Sequence, residues 1–184
     1  MSTSIDGTAH AALVAQLTRH IRDVPDFPSP GILFKDITPL MKHPRLFADV
    51  QTAMADPFVG AGITHVAAIE SRGFLFGPAI AFALNARFVP IRKPNKLPWR
   101  TRRVEYALEY GTDALEIHED ACDVGARVLL VDDILATGGT ASAARQLVEM
   151  LSGTVVGATF LGEIHALQGR DRLQGITVSS LLGF

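Results

Sequence analysis

Cysteine is nearly absent: Cys122 stands alone, so no intrachain disulfide can form and the core must hold the fold. Such a lone thiol is expected to fill space. The sequence contains no run of about 18 apolar residues, which excludes a membrane-spanning helix. Residues 1–7 show no basic stretch leading into an apolar one, so no secretory leader is expected and the expected compartment is the cytoplasm. The net charge is only −2, leaving no global electrostatic reason to bind nucleic acid. Six histidines are present without ligand-like spacing to each other or to Cys122, and no zinc site is expected. There are no internal repeats, no low-complexity tract and no linker long enough to divide the chain.

What remains is ordinary globular material. The chain has 184 residues, 48% hydrophobic and 20% charged, enough for one domain, 1–184, with a full core. Leu13, Leu17 and Ile21 recur at four-residue steps behind Thr8, a candidate helix cap. Prolines at 25, 28 and 30 with Gly31 then break the pattern. Residues 25–40 read as irregular yet apolar, a loop to pack over a pocket or into the core. A second helix is expected over Pro44–Ala55, with Pro44 in its first turn. From His65 the pattern changes. His65–Ile69 reads as a buried strand, 73–84 as a helix and Arg87–Ile91 as a strand. Residues 127–131 (RVLLV) give the strongest strand, followed by a glycine turn, a helix over 140–151 and a strand over 155–161. Repeated strand–helix–strand units predict an α/β fold: a mostly parallel central sheet flanked by helices, with ligands at the carboxyl ends of the strands.

Charge is segregated between these units. Arg92, Lys93, Lys96, Arg100, Arg102 and Arg103 come without an acid among them, and Pro94 and Pro98 disfavour a helix there. Then follow Glu105, Glu109, Asp113, Glu116, Glu119, Asp120 and Asp123. Composition leaves two readings open: oppositely charged, solvated hairpin arms, or a mobile basic flap near an anionic ligand.

The chemistry concentrates in VLLVDDILATGGT, residues 128–140. An apolar strand delivers Asp132 and Asp133, and Ala136, Thr137, Gly138, Gly139 and Thr140 turn the chain into a helix. The two glycines allow close backbone approach and positive φ. Exposed N–H groups, a helix N-terminus and two hydroxyls suit a phosphate. The spacing matches neither a Walker A loop nor GxGxxG. Carboxylates beside a phosphate would repel it unless they bind something else, and vicinal ribose hydroxyls meet that need. Together these residues describe a site for a ribose 5-phosphate group.

Residues 132–140 resemble the signature of the type I phosphoribosyltransferases, which use phosphoribosyl pyrophosphate (PRPP). Four further segments, PDFPSPGILFKDITPL (25–40), ESRGFLFGPAIA (70–81), IRKPNKLP (91–98) and LEYGTDALEIHEDA (108–121), resemble the adenine phosphoribosyltransferase family in the same order. The resemblance implies that type I fold, with a small N-terminal hood over residues 1–40 and a mobile basic flap over 94–110. It implies that Asp132 and Asp133 bind the ribose hydroxyls and that residues 136–140 bind the 5-phosphate. Ser71, Arg72 and Gly73 would form a pyrophosphate turn, often strained in this fold, with Arg92, Lys93 and Lys96 neutralising pyrophosphate. Leu33, Phe34 and Lys35 would line the adenine pocket. Glu109, beside Tyr110, would close from the flap and act near adenine N7, with Arg72 the other catalytic candidate.

The implied ligands are adenine, PRPP, AMP, pyrophosphate and Mg²⁺, the metal held by phosphate, ribose and water rather than by direct protein ligation. A homodimer is implied as well. Three departures from the family pattern stand out: Lys35 in place of Arg, Asn95 in place of Gly, and extra arginines in the flap. A transferase for a 6-oxopurine, or a PRPP-sensing regulator without catalysis, are the rival expectations.

Overall fold

The computed structural model describes residues 7–107 and 111–184. Its elements are α1 (Gly7–His20), β1 (Arg22–Pro25), β2 (Leu33–Asp36), α2 (Pro44–Ala55), β3 (His65–Ile69), α3 (Gly77–Ala83), β4 (Arg87–Ile91), β5 (Thr101–Ala107), β6 (Thr112–His118), β7 (Arg127–Leu135), α4 (Gly139–Met150), β8 (Thr154–Glu163) and β9 (Thr177–Gly183). Five strands form one parallel sheet in the order β4-β3-β7-β8-β9.

The apolar runs form these strands because both sheet faces are covered. Val66 and Ala68 of β3, with Leu129 and Val131 of β7, join one core with Leu17, Val50, Met54 and Ile80 of the first three helices. Ala67, Ile69, Val128 and Leu130 point the other way, to Leu115 and Ile117 of β6 and Ala144 and Leu147 of α4. Strand period two thus divides one apolar run between two cores. Burying each such leucine stabilises the fold by about 1.5–3 kcal/mol.

The sheet order also places the site. From β3 the chain crosses to β4 on one side, whereas β7 leads to β8 on the other. The β3–β7 boundary is therefore a topological switch point, where the loops leaving the carboxyl ends diverge and open a crevice.

Three expectations are corrected. The 25–40 segment is not wholly irregular: β1 and β2 pair antiparallel from Arg22↔Asp36 to Pro25↔Leu33, and a 3-10 turn spans Thr38–Lys42. Pro25 ends β1 and Pro39 lies in the 3-10 turn, while Pro28 and Pro30 sit in the hairpin loop, which Asp26 closes by accepting the Gly31 N–H at 2.8 Å. The 73–84 helix is split into a 3-10 turn, Arg72–Leu75, and α3, which Pro78 starts. Thr8 lies inside α1, not ahead of it.

The charged segment contains a hairpin: β5 and β6 pair antiparallel from Thr101↔His118 to Ala107↔Thr112. Val104 and Tyr106 pack on the second core, so strand alternation is present beneath the charge. Cys122 is half-buried, and burial pushes its thiol up to about 11, as suits a packing residue.

Candidate functional site

β7 carries Asp132 and Asp133 to the crevice and runs on to Leu135 before the turn. Gly138 has φ +78°, a left-handed conformation natural to glycine. α4 begins at Gly139 and has no acidic residue in its first turn, so its N–H groups and positive dipole end face outward uncompensated by a protein carboxylate of that turn. Asp132, Ala136, Thr137, Gly138, Gly139 and Thr140 line a cleft of about 60 Å³. That is far below the roughly 300 Å³ at which pockets for whole ligands begin, and it suits one phosphate group.

Across the switch point lies the turn after β3. Gly73 packs directly on β7: a Cβ there would stand 2.7 Å from the Val131 carbonyl oxygen and 3.1 Å from Asp132 Oδ1. Only a residue without a side chain permits this approach. The Glu70–Ser71 peptide is cis, and Ser71 makes no side-chain cap bond to the turn it precedes.

Arg72 joins three expected subsites. Its Nε lies 2.7 Å from Asp133 Oδ2, and its guanidinium stacks 4.7 Å from the centroid of Phe34. Phe34 in turn meets Phe27 edge to face at 5.1 Å. The Arg72–Asp133 pair is close but poorly aligned: Asp133 Oδ2 and Arg72 Nη1 are buried with no hydrogen-bond partner among the described residues. Burial raises the pKa of both aspartates. At Asp132 the neighbouring Asp133 charge adds to the effect, whereas Arg72 offsets part of it at Asp133.

Two of the cations after β4, Arg92 and Lys93, are paired with acids. Arg92 forks onto Glu70, Nε to Oε2 at 3.0 Å and Nη2 to Oε1 at 3.1 Å, and the Lys93 N–H donates to Glu70 Oε2 at 3.0 Å. Burial would raise Glu70, but these bonds outweigh it and hold the carboxyl below its usual range. Lys93 Nζ pairs with Asp113 and donates to Tyr106 at 3.1 Å. Burial would lower the Lys93 pKa, yet these partners raise it. Lys96 is exposed, and its carbonyl accepts from Arg92 Nη1 at 2.9 Å.

Glu70, Asp113 and Tyr106 were not singled out from sequence. The only local signal was an acid closing the apolar β3 run. Lys35 Nζ pairs with Asp23 at 2.7 Å and lies 4.8 Å from the Phe184 ring centroid, while Leu33 is exposed. Asn95, the departure from glycine, has φ +63°, a conformation asparagine tolerates better than most residues. Glu109 and Tyr110 lie outside the described residues.

A switch-point crevice flanked by an acid-bearing glycine cradle and a glycine-bearing basic turn is the arrangement of a phosphoribosyltransferase-type α/β enzyme. The family model of the phosphoribosyl transferase domain matches residues 37–172. The adenine phosphoribosyltransferase of Myxococcus xanthus is 53% identical over 184 residues, covering 100% of both chains. The crystal structure of the adenine phosphoribosyltransferase from Thermoanaerobacter pseudethanolicus superposes with a TM-score of 0.90 at 48% identity, over 93% of this chain and 99% of that one. The Saccharomyces cerevisiae enzyme, solved with adenine and an imino-altritol bisphosphate, gives 0.85 at 40% identity over 93% and 99%. The chain belongs to the adenine phosphoribosyltransferase family.

Proposed function

We propose that the chain catalyses adenine + PRPP ⇌ AMP + pyrophosphate, recovering a free purine base as its nucleotide. The observation that carries this is the convergence on Arg72 of an aromatic base-side residue, Phe34, and a ribose-side acid, Asp133.

Thr137, Thr140 and the N–H groups of residues 136–140 hold the 5-phosphate. Asp132 and Asp133 accept from the ribose hydroxyls, which releases Arg72 from Asp133 to meet pyrophosphate. Arg92 and Lys93, oriented by Glu70 and Asp113, and Lys96 add positive charge on the pyrophosphate side. Adenine N9 bonds to the anomeric carbon as the bond to pyrophosphate oxygen breaks. The N9 proton passes to the departing pyrophosphate, and cations near the leaving group act most strongly as its charge develops. Glu109 and Tyr110 close over the base from the flap and exclude water.

Among the described residues no three ligating side chains cluster, and Mg²⁺ would be held by pyrophosphate and ribose oxygens and by water rather than by direct protein ligation, with Asp132 and Asp133 kept for the ribose hydroxyls. Bound there, it would supply charge neutralisation to pyrophosphate.

The homodimer implied by the family finds apolar surface in the exposed rings of Phe82 and Phe88. No described helix is long and apolar enough to cross a membrane, and we place the reaction in the cytoplasm.

The deciding experiment is pyrophosphate release from PRPP with a panel of free bases. Adenine should react, and hypoxanthine and guanine should be at least about tenfold poorer, because an oxo group facing a backbone acceptor leaves buried groups unpaired. Comparable use of hypoxanthine would reject adenine as the preferred base and retain the phosphoribosyl chemistry. No turnover with any base would favour a PRPP sensor.

A further inference from the structure

Behind the cradle lies a buried ion pair that the reaction as drawn does not use. The Glu163 side chain, at the end of β8, is only 3% exposed. A carboxylate so placed is costly unless neutralised and fully bonded. Arg170, in the 3-10 turn Gly169–Leu173, does both. Its Nε donates to Glu163 Oε1 and Oε2 at 2.9 and 2.7 Å. Nη1 donates to the Val178 carbonyl at 2.9 Å and Nη2 to Ser180 Oγ at 3.0 Å. Ser180 Oγ–H donates to Glu163 Oε2 at 3.1 Å. One side chain thus fastens the turn to both β8 and β9.

The residue before Arg170 abuts the cradle. A Cβ on Gly169 would collide with the Ala136 carbonyl oxygen and lie 2.9 Å from Leu135 Cγ. A Cβ on Gly138 would lie 3.2 Å from the carbonyl carbon and Cα of Gly169. At Ala136, Gly138 and Gly169 turn and cradle therefore meet backbone to backbone, with the buried Leu135 side chain packed beside the contact. The far end of the turn is fixed separately by buried Leu173 and by Arg145 Nη1 donating to the Gln174 carbonyl at 2.9 Å. The near end, at Gly169, is held by Arg170 and by the flanking turn bonds, the Gln168 N–H to the His165 carbonyl and the Asp171 N–H to the Gln168 carbonyl, each at 3.1 Å; of these only the Arg170 bonds tie it to the side of β8 and β9.

We infer that Glu163 and Arg170 form a positioning clamp that sets the backbone of residues 136–138 for the 5-phosphate, an inference resting on the assignment of residues 136–140 to that group. Arg170 itself touches no substrate.

The test is calorimetric titration of ribose 5-phosphate and steady-state kinetics on Arg170→Leu, Arg170→Lys and Glu163→Gln, well below each variant's Tm. Arg170→Leu should weaken ribose 5-phosphate and raise the KM for PRPP on the order of tenfold, because a small displacement of a binding group is amplified in affinity. The KM for adenine should stay unchanged and kcat should move far less. Arg170→Lys, with charge but no fork, should fall between Arg170→Leu and the parent, as should Glu163→Gln, which keeps an acceptor. The two conservative variants carry the test should Arg170→Leu fail to fold. A lowered Tm with unchanged ribose 5-phosphate affinity and unchanged KM for PRPP would reduce the pair to a structural brace and overturn the clamp. Thr137→Ala with Thr140→Ala is the control. A loss there with none in the Arg170 variants rejects the clamp and keeps the cradle, whereas no loss in either set rejects both.

Discussion

A carboxyl whose pKa is raised by folding holds its proton more tightly in the folded chain than in the unfolded one. Its contribution to stability is full below the unfolded pKa and declines as pH rises towards the folded value. Asp132 is in that position through burial and the adjacent Asp133. At neutral pH its ionised form is needed to accept ribose hydroxyls and is also the form that burial disfavours. Asp132→Asn should therefore leave the ligand-free Tm unchanged or higher at pH 7. AMP binding should weaken at least about tenfold, since a charge-assisted hydrogen bond contributes about 1.5–3 kcal/mol. Scanning and titration calorimetry measure the two effects separately, and a lower Tm with unchanged AMP affinity would contradict the assignment. In the parent, AMP affinity should fall as pH is lowered, because burial and the adjacent Asp133 raise the Asp132 pKa, with proton release on binding that shows in buffers of different ionisation enthalpy. Gly73→Ala would set a Cβ 2.7 Å from the Val131 carbonyl oxygen. Overpacking of about 1–3 kcal/mol is expected, with a fall in kcat/KM for PRPP. Full activity in that variant would show that the turn can retreat from β7.

At the level of elements, the central sheet was legible because apolar runs bounded by glycine and proline leave few alternatives. The acid pair and glycine turn were legible because they are contiguous. Pairings distant in sequence were not: Arg92 meets Glu70 across 22 residues and Lys93 meets Asp113 across 20. Local pattern showed six cations without acids, whereas the fold brings the acids in from β3 and β6. The sequence leaves the β5 segment undecided between hairpin arm and flap for a related reason, since its charged residues obscure the inward step of Val104 and Tyr106. These tethers shape an expectation for the flap. The 94–100 segment, held at its base by Arg92 and Lys93, should exchange backbone hydrogens quickly without ligand and slowly with AMP. Paired residues of β5 and β6 should be protected in both states. Full protection of 94–100 in the free enzyme would count against a closing flap.

For the molecule as a whole, two cores on opposite faces of one sheet account for most large apolar side chains, yet the side bearing α3 and β4 keeps apolar surface. Phe82 is 90% exposed and Phe88 38%, and β4 is the last strand on that side of the sheet. A single exposed ring is unremarkable, but two on consecutive elements at a sheet edge form a surface that a second copy could cover. Phe88 already packs edge to face on Phe74 at 6.2 Å, so replacing it would disturb the Arg72–Leu75 turn as well. Phe82 makes the cleaner probe, since its ring adds little to the fold. Sedimentation equilibrium should give the parent a mass near twice the 19.8 kDa of the chain. Phe82→Asp should shift the population towards the single-chain mass, most clearly on dilution, because each association would bury two unpaired carboxylates. Its Tm at fixed high concentration should fall by the lost association linkage rather than by damage to either core. A single-chain mass for the parent at every concentration would reject the homodimer and leave the phosphoribosyl chemistry untouched. A dimer insensitive to Phe82→Asp would move the contact to another face.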